Sequence, residues 1–183
     1  MTVLLVVLGL IILLVVFGVV LYNGLVRLRN RIEGAWAQID VQLRRRYDLV
    51  PNLVETVKGY ASHERETLEA VTRARNMALS AEGVQDQAKA ENMLSGTLKS
   101  LFAVSEAYPD LKANQNFLQL QEELTATEGR IAYARQFFND VVNKYNTKIQ
   151  SFPAVIIARR MGFVEREYFE ADEAARTAPE ISF

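Results

Sequence analysis

Residues 42–57 read QLRRRYDLVPNLVETV: three consecutive arginines, then a proline inside a stretch with helical periodicity. Proline lacks an N–H and its ring collides with the carbonyl four residues back, at a cost of about 3 kcal/mol inside a helix, yet it is tolerated in a first turn. Basic side chains favour the last turn of a helix, where unpaired carbonyls carry negative charge. The stretch therefore predicts a helical hairpin. Arg44, Arg45 and Arg46 close one helix, Asp48 caps the next, and Pro51 sits in its first turn. Displayed on such a hairpin, the arginines are candidate contacts for a partner or a second copy.

Toward the N-terminus, Val3 to Leu21 contains no charged or polar side chain, and Ile12 lies at its centre. About 20 such residues cross a hydrocarbon layer of about 30 Å. The basic leader, shorter apolar core and small-residue cleavage site of a secretory signal are missing, so residues 1–24 read as a permanent single-pass anchor. Arg27, Arg29 and Arg31 follow the apolar run, and only Met1 and Thr2 precede it. Positive charge stays on the cytoplasmic side. The expectation is an inner (plasma) membrane protein with its N-terminus outside and residues 25–183 in the cytoplasm. The three arginines are also candidate membrane-interface residues.

Downstream, apolar residues recur at alternating spacings of three and four, which marks helices. Leu25, Leu28, Ile32, Trp36, Ile39 and Leu43 form one stripe; Val50, Val54, Val57, Ala61, Leu68, Val71 and Ala78 form another. A third, from about Gln85 to Ala107, carries Ala88, Leu94, Leu98, Leu101 and Phe102. In the fourth, positions 117 to 152 keep a spacing near 3.5, with Thr127 and Lys148 as polar exceptions. Breaks are expected at Asp48–Pro51, Ser80–Gly83, Tyr108–Asp110 and Phe152–Pro153, with Asn114 or Asn116 starting the last long helix. The fold class is all-α: one N-terminal transmembrane helix continuing into an elongated antiparallel up-and-down bundle over residues 25–152, followed by a membrane-proximal segment and acidic tail at 153–183.

Glu64 and Arg75 fall on apolar register positions, and Asn139, Asn143 and Asn146 cluster around Tyr145. Two readings stand: a buried polar layer that fixes register or binds a ligand, or long side chains snorkelling at the bundle edge. If buried, Glu64 and Arg75 each need a partner. Tyr108 and Lys112, in the turn YPDLKAN, are either connector residues or partner contacts. Lengths conflict: a first helix ending at the hairpin is roughly 39 Å long, against about 57 Å for the last. That mismatch predicts a bend near Asn23 and Gly24, or a reclining bundle. AVIIARRMGF at 154–163 either lies at the lipid interface through Arg159 and Arg160 or folds back over the bundle. From Glu165 to Phe183 the net charge is -4, and residues 1–47 carry +4, so Glu170, Asp172 and Glu173 are candidate contacts for basic surfaces of the same or another chain.

Several chemistries are disfavoured. The chain of 183 residues has no cysteine, which removes disulfides, thiolate metal sites and cysteine nucleophiles. The single histidine, His63, begins HERET rather than HExxH. The formal charge of -1 offers no basic footprint for nucleic acid. No catalytic residue, metal ligand or cofactor is expected.

The stretches YNGLVRLRNRIEGAWAQIDVQLRRRYDLVPNLVETVKGYASHERETLEAVTRAR and YPDLKANQNFLQLQEELTATEGRIAYARQFFNDVVNKYNTKIQSFP, together with YFE at Tyr168–Glu170, resemble the LemA family. The likeness extends to the magnetosome protein MamQ. The resemblance implies a bacterial-type membrane protein with an external N-terminus and a cytoplasmic helical bundle, without established enzymatic activity. It also implies a partnership with HtpX-type membrane proteases. The expected function is a non-enzymatic scaffold that contacts membrane lipid, self-associates into a homo-oligomer and recruits a membrane protein; the alternative is a sensor whose polar layer binds a ligand.

Overall fold

A computed structural model describes residues 1–169. Six helices follow one another: α1 (Thr2–Lys58), α2 (Arg65–Ser80), α3 (Gly83–Ser105), α4 (Pro109–Lys112), α5 (Gln115–Gln150) and α6 (Ala154–Arg160). No strand occurs among the described residues. Of the expected breaks, Phe152–Pro153 falls between helices, Ser80 and Gly83 bound the gap between α2 and α3, and Tyr108 precedes the short α4, which takes in Pro109 and Asp110. Asn114 starts α5 as expected: its Oδ1 accepts the Phe117 N–H at 3.0 Å, serving one of the unpaired donors of the first turn.

The hairpin expected at Asp48–Pro51 does not form. α1 continues through Pro51 to Lys58, and its buried stripe proceeds without a phase change through Leu43, Arg46, Tyr47, Val50, Leu53 and Val57. Two features permit this. Pro51 lies on the exposed side of the helix, and the carbonyl it deprives of a helical donor, that of Tyr47, accepts the Nε–H of Arg75 from α2 at 2.8 Å. Arg75 thus supplies the hydrogen bond that residue 51 cannot.

The length conflict disappears with the hairpin. From Tyr22 to Lys58, α1 offers about 54 Å of helix, the same as α5 with its 36 residues. α1 also stays helical through Asn23 and Gly24, where a bend was expected.

The chain divides into two compact units. The first comprises Met1–Ala37 and Gln136–Glu167. Here α1 and α5 run antiparallel, with Trp36 edge-on to Phe138 at 5.5 Å and the Arg31 guanidinium over Phe137 at 5.7 Å. Leu25, Ile32, Phe138, Val142 and Tyr145 are buried in its core. After α6 the chain returns along α5. Asn146 pairs with the backbone of Arg166 through both side-chain atoms, at 2.9 Å each, and the Tyr145 hydroxyl donates to the Val164 carbonyl at 3.0 Å. The expected 3.5 spacing in α5 drifts toward the 3.6 of a straight helix, so Ile149 is buried while Lys148 and Phe152 are exposed.

The second unit comprises Gln38–Arg135 and the described part of Tyr168–Phe183. α2 packs against α3 as a short-loop hairpin, and the φ of +80° at Gly83 opens α3 in a region that glycine enters freely. Leu53, Val71, Leu94, Leu101, Leu111, Phe117 and Ile131 fill the core.

Replacing the Arg75 donor should leave the Tyr47 carbonyl unsatisfied. Arg75→Met is expected to lower stability by about 1–3 kcal/mol in denaturant titrations of the detergent-extracted chain. With Pro51→Ala, which restores the backbone donor, the same substitution should cost clearly less.

Candidate functional site

The second unit buries a layer of charge. Arg46 of α1 is 1% exposed and Glu91 of α3 is 0% exposed, the deepest ionic pair among the described residues. An unpaired charge at such depth would cost several kcal/mol, so the layer is legible as a set of payments in hydrogen bonds. Arg46 Nη1 donates to Glu91 Oε2 at 3.0 Å. Its Nη2 donates to Ser95 Oγ at 2.7 Å and lies 3.3 Å from Glu128 Oε2 of α5. The other Glu91 oxygen accepts the Tyr47 hydroxyl and the Gln87 side-chain amide, the latter at 3.2 Å. Gln87 also donates to Tyr47 Oη at 2.8 Å. Arg135 completes the layer, with Nη2 at 3.9 Å from Glu91 Oε2 and its guanidinium over the Phe169 ring at 4.5 Å.

Two guanidinium groups and two carboxylates balance formally, and the network joins α1, α3 and α5. Arg75 ties α2 to the same turn through Tyr47. Burial pushes the Tyr47 phenol far above its ordinary value, and the hydrogen bond to Glu91 adds to the shift. Burial pulls the Arg135 guanidinium below its ordinary value, against the opposing pull of Glu91 and Glu128. Beside Arg46 lies a cavity of about 240 Å³, walled by Leu98, Phe102 and Leu124 with Ser95 and Glu128 at its polar side.

The sequence candidates distribute unevenly. Arg46 is a core residue and not a surface contact, because the unbroken α1 turns it inward. Arg44 and Arg45 remain outside, paired with Asp40 at 3.0 Å and with Glu123 at 3.9 Å. Arg75 and Glu64 are half-buried and each has a partner; Glu64 Oε1 accepts the Tyr108 hydroxyl at 3.1 Å. Lys112 is exposed and bonded to Glu106. Tyr108 and Lys112 thus make contacts within the chain.

In the first unit, Val3 and Ile12 are 76% and 55% exposed and Leu21 is partly covered. Arg27, Arg29, Arg31, Arg159 and Arg160 are exposed. Glu170, Asp172 and Glu173 lie outside the described residues. Sequence reading missed Glu91 and Gln87. The available signal was the gap of six between Ala88 and Leu94, which leaves a core register position at 91. No group of three or more His, Cys, Asp or Glu side chains that could hold a metal ion occurs among the described residues.

Removing one charge of the central pair should be costly. Glu91→Gln is expected to lower stability by about 3–5 kcal/mol, and the double variant Arg46→Met/Glu91→Leu by less than the single one, read as a double-mutant cycle in denaturant. The tyrosine gives a pH signature. Its proton is held more tightly in the folded chain, so stability contributed by Tyr47 is intact below the unfolded phenol value of about 10 and declines as pH rises beyond it. In unfolding titrations above that value, Tyr47→Phe should flatten the alkaline loss of stability.

The family model for the LemA family matches residues 35–183. The Protein LemA of Metamycoplasma hominis is 28% identical over 165 residues, covering 87% of this chain and 74% of that protein. The match includes α1 from Ala35 onward, the buried layer and all later helices. The chain belongs to the LemA family.

Proposed function

We propose that this LemA-family chain is a single-pass protein of the inner membrane that acts by association rather than by catalysis. The observation that carries this reading is a contrast in exposure. The 18-residue apolar stretch of α1 is 0% buried, whereas the central pair of the charged layer is sealed, with Glu91 at 0% and Arg46 at 1% exposure. An apolar surface of that extent calls for lipid. A carboxylate that has no access to solvent and whose oxygens are all engaged is a poor general acid or base.

In this reading the N-terminus lies outside, and Arg27, Arg29 and Arg31 hold the remainder of the chain in the cytoplasm. The chain self-associates, with exposed Arg27, Arg29, Arg31, Arg44 and Arg45 and the acidic segment 165–183 as complementary surfaces. The assembly presents its helices to a membrane protein, for which an HtpX-type protease is a candidate. A second reading draws on the cavity beside Arg46: a ligand entering it would compete with Glu128 for the guanidinium and shift the polar layer, as a sensor requires.

Light scattering of the full chain extracted in mild detergent separates the readings. A scaffold is expected to run as several copies and to fall toward a single copy when residues 170–183 are removed. A chain that is single in both forms, and that melts at higher temperature when a small anion is supplied, would favour the sensor and defeat the scaffold.

A further inference from the structure

The first unit holds an apolar surface outside the anchor. α6 turns two alanines inward, Ala154 and Ala158, each 1% exposed, so the helix packs closely. Its other side and flanks carry Phe152, Ile156, Met161 and Val164, at 81%, 62%, 60% and 66% exposure. Arg159 and Arg160 lie exposed among them. Large apolar groups at that density are unfavourable in water.

Their level along α1 can be read from contacts. Phe163 stands edge-on to Tyr22 at 5.8 Å and beneath the Arg29 guanidinium at 5.8 Å. Tyr22 directly follows the apolar run. An independent count agrees: from the Trp36–Phe138 contact, moving about 14 residues along each antiparallel helix at equal rise brings Phe152 level with Tyr22. The segment is also held there. Gly162, at φ +71°, ends α6, and the Phe163 N–H bonds back to the Ala158 carbonyl at 3.0 Å, the pattern of a Schellman cap. Asn146 and Tyr145 then fix residues 164–166 against α5.

We propose that residues 152–161 form a collar at the membrane interface, in which Phe152, Ile156 and Met161 enter the headgroup layer beside α1 while Arg159 and Arg160 meet the phosphates of anionic lipid. The headgroup region on one side of a bilayer is about 5–8 Å thick, and Phe152 and Phe163, level with Tyr22, stand at its inner edge. Exposed Arg27 adds positive charge a turn further along α1. Glu165, the nearest following carboxylate, is hydrogen-bonded by Gln150 at 2.8 Å. The collar depends on α1 spanning the bilayer.

The absence of native cysteine permits single labels. Phe152→Cys, Ile156→Cys, Val15→Cys and Tyr133→Cys, each carrying an environment-sensitive fluorophore, would be reconstituted as full chains in vesicles of phosphatidylcholine with or without phosphatidylglycerol. Spin-labelled lipid should quench the labels at 152 and 156 at least about twofold relative to Tyr133→Cys, with a blue-shifted emission. Arg159→Gln/Arg160→Gln should reduce the quenching in phosphatidylglycerol vesicles to the phosphatidylcholine level. Labels at 152 and 156 as water-accessible as the one at 133, with Val15→Cys strongly quenched, would overturn the collar alone. An unquenched Val15→Cys would remove the spanning helix and the collar together. Quenching unaffected by lipid charge or by the arginine variant would overturn the role given to Arg159 and Arg160.

Discussion

A backbone carbonyl that a proline has stripped of its helical donor is the constraint on which the second unit turns. Tyr47 would carry that carbonyl unsatisfied were Arg75 not bonded to it, and a buried acceptor without a partner is among the larger single costs in a fold. With the bond made, α1 proceeds past Pro51 in phase with Val50 and delivers Leu53 and Val57 to the core. The same residue contributes its hydroxyl to Glu91. One tyrosine therefore connects the repair of the helix to the charged layer.

That layer is better understood as a constraint on register than as a source of stability. Ion pairs withdrawn from water gain little over well-packed apolar groups, yet are costly to leave half made. Sliding α3 by one turn would set Ala88 or Ser95 opposite Arg46 in place of Glu91 and leave the guanidinium without its carboxylate. The apolar residues of α3 discriminate far less between such registers, because Leu94, Leu98 and Leu101 are near-equivalent. Ser95 and Glu128 reinforce the choice from the other side of Arg46.

What the sequence revealed and concealed follows the same division between local and distant chemistry. The helices, the glycine turn at Gly83, the YPDLKAN connector and the Asn114 cap are set by neighbours in the chain, and were legible. Pro51 was misread because its compensation arrives from a residue 24 positions away. Arg46 was misread in consequence: with a helix end assumed there, its charge had a local explanation. Glu91 left a trace in the interrupted spacing of α3, but nothing nearby identified its partner. In the segment after α5 the mix of apolar and basic residues was legible, while its return along α5 through Tyr145 and Asn146 was not.

An unbroken α1 also means that the chain has no swivel where it leaves the apolar run. The side chains from Val3 to Tyr22 share one helical phase with Leu25, Ile32 and Trp36, which pack within the first unit. Losing or gaining a single residue between Leu21 and Leu25 would rotate one set against the other by about 100°. The azimuth of the exposed apolar surface from Val3 to Leu21 is thereby geared to the α1–α5 contact, so that a rotation of one is a rotation of the other.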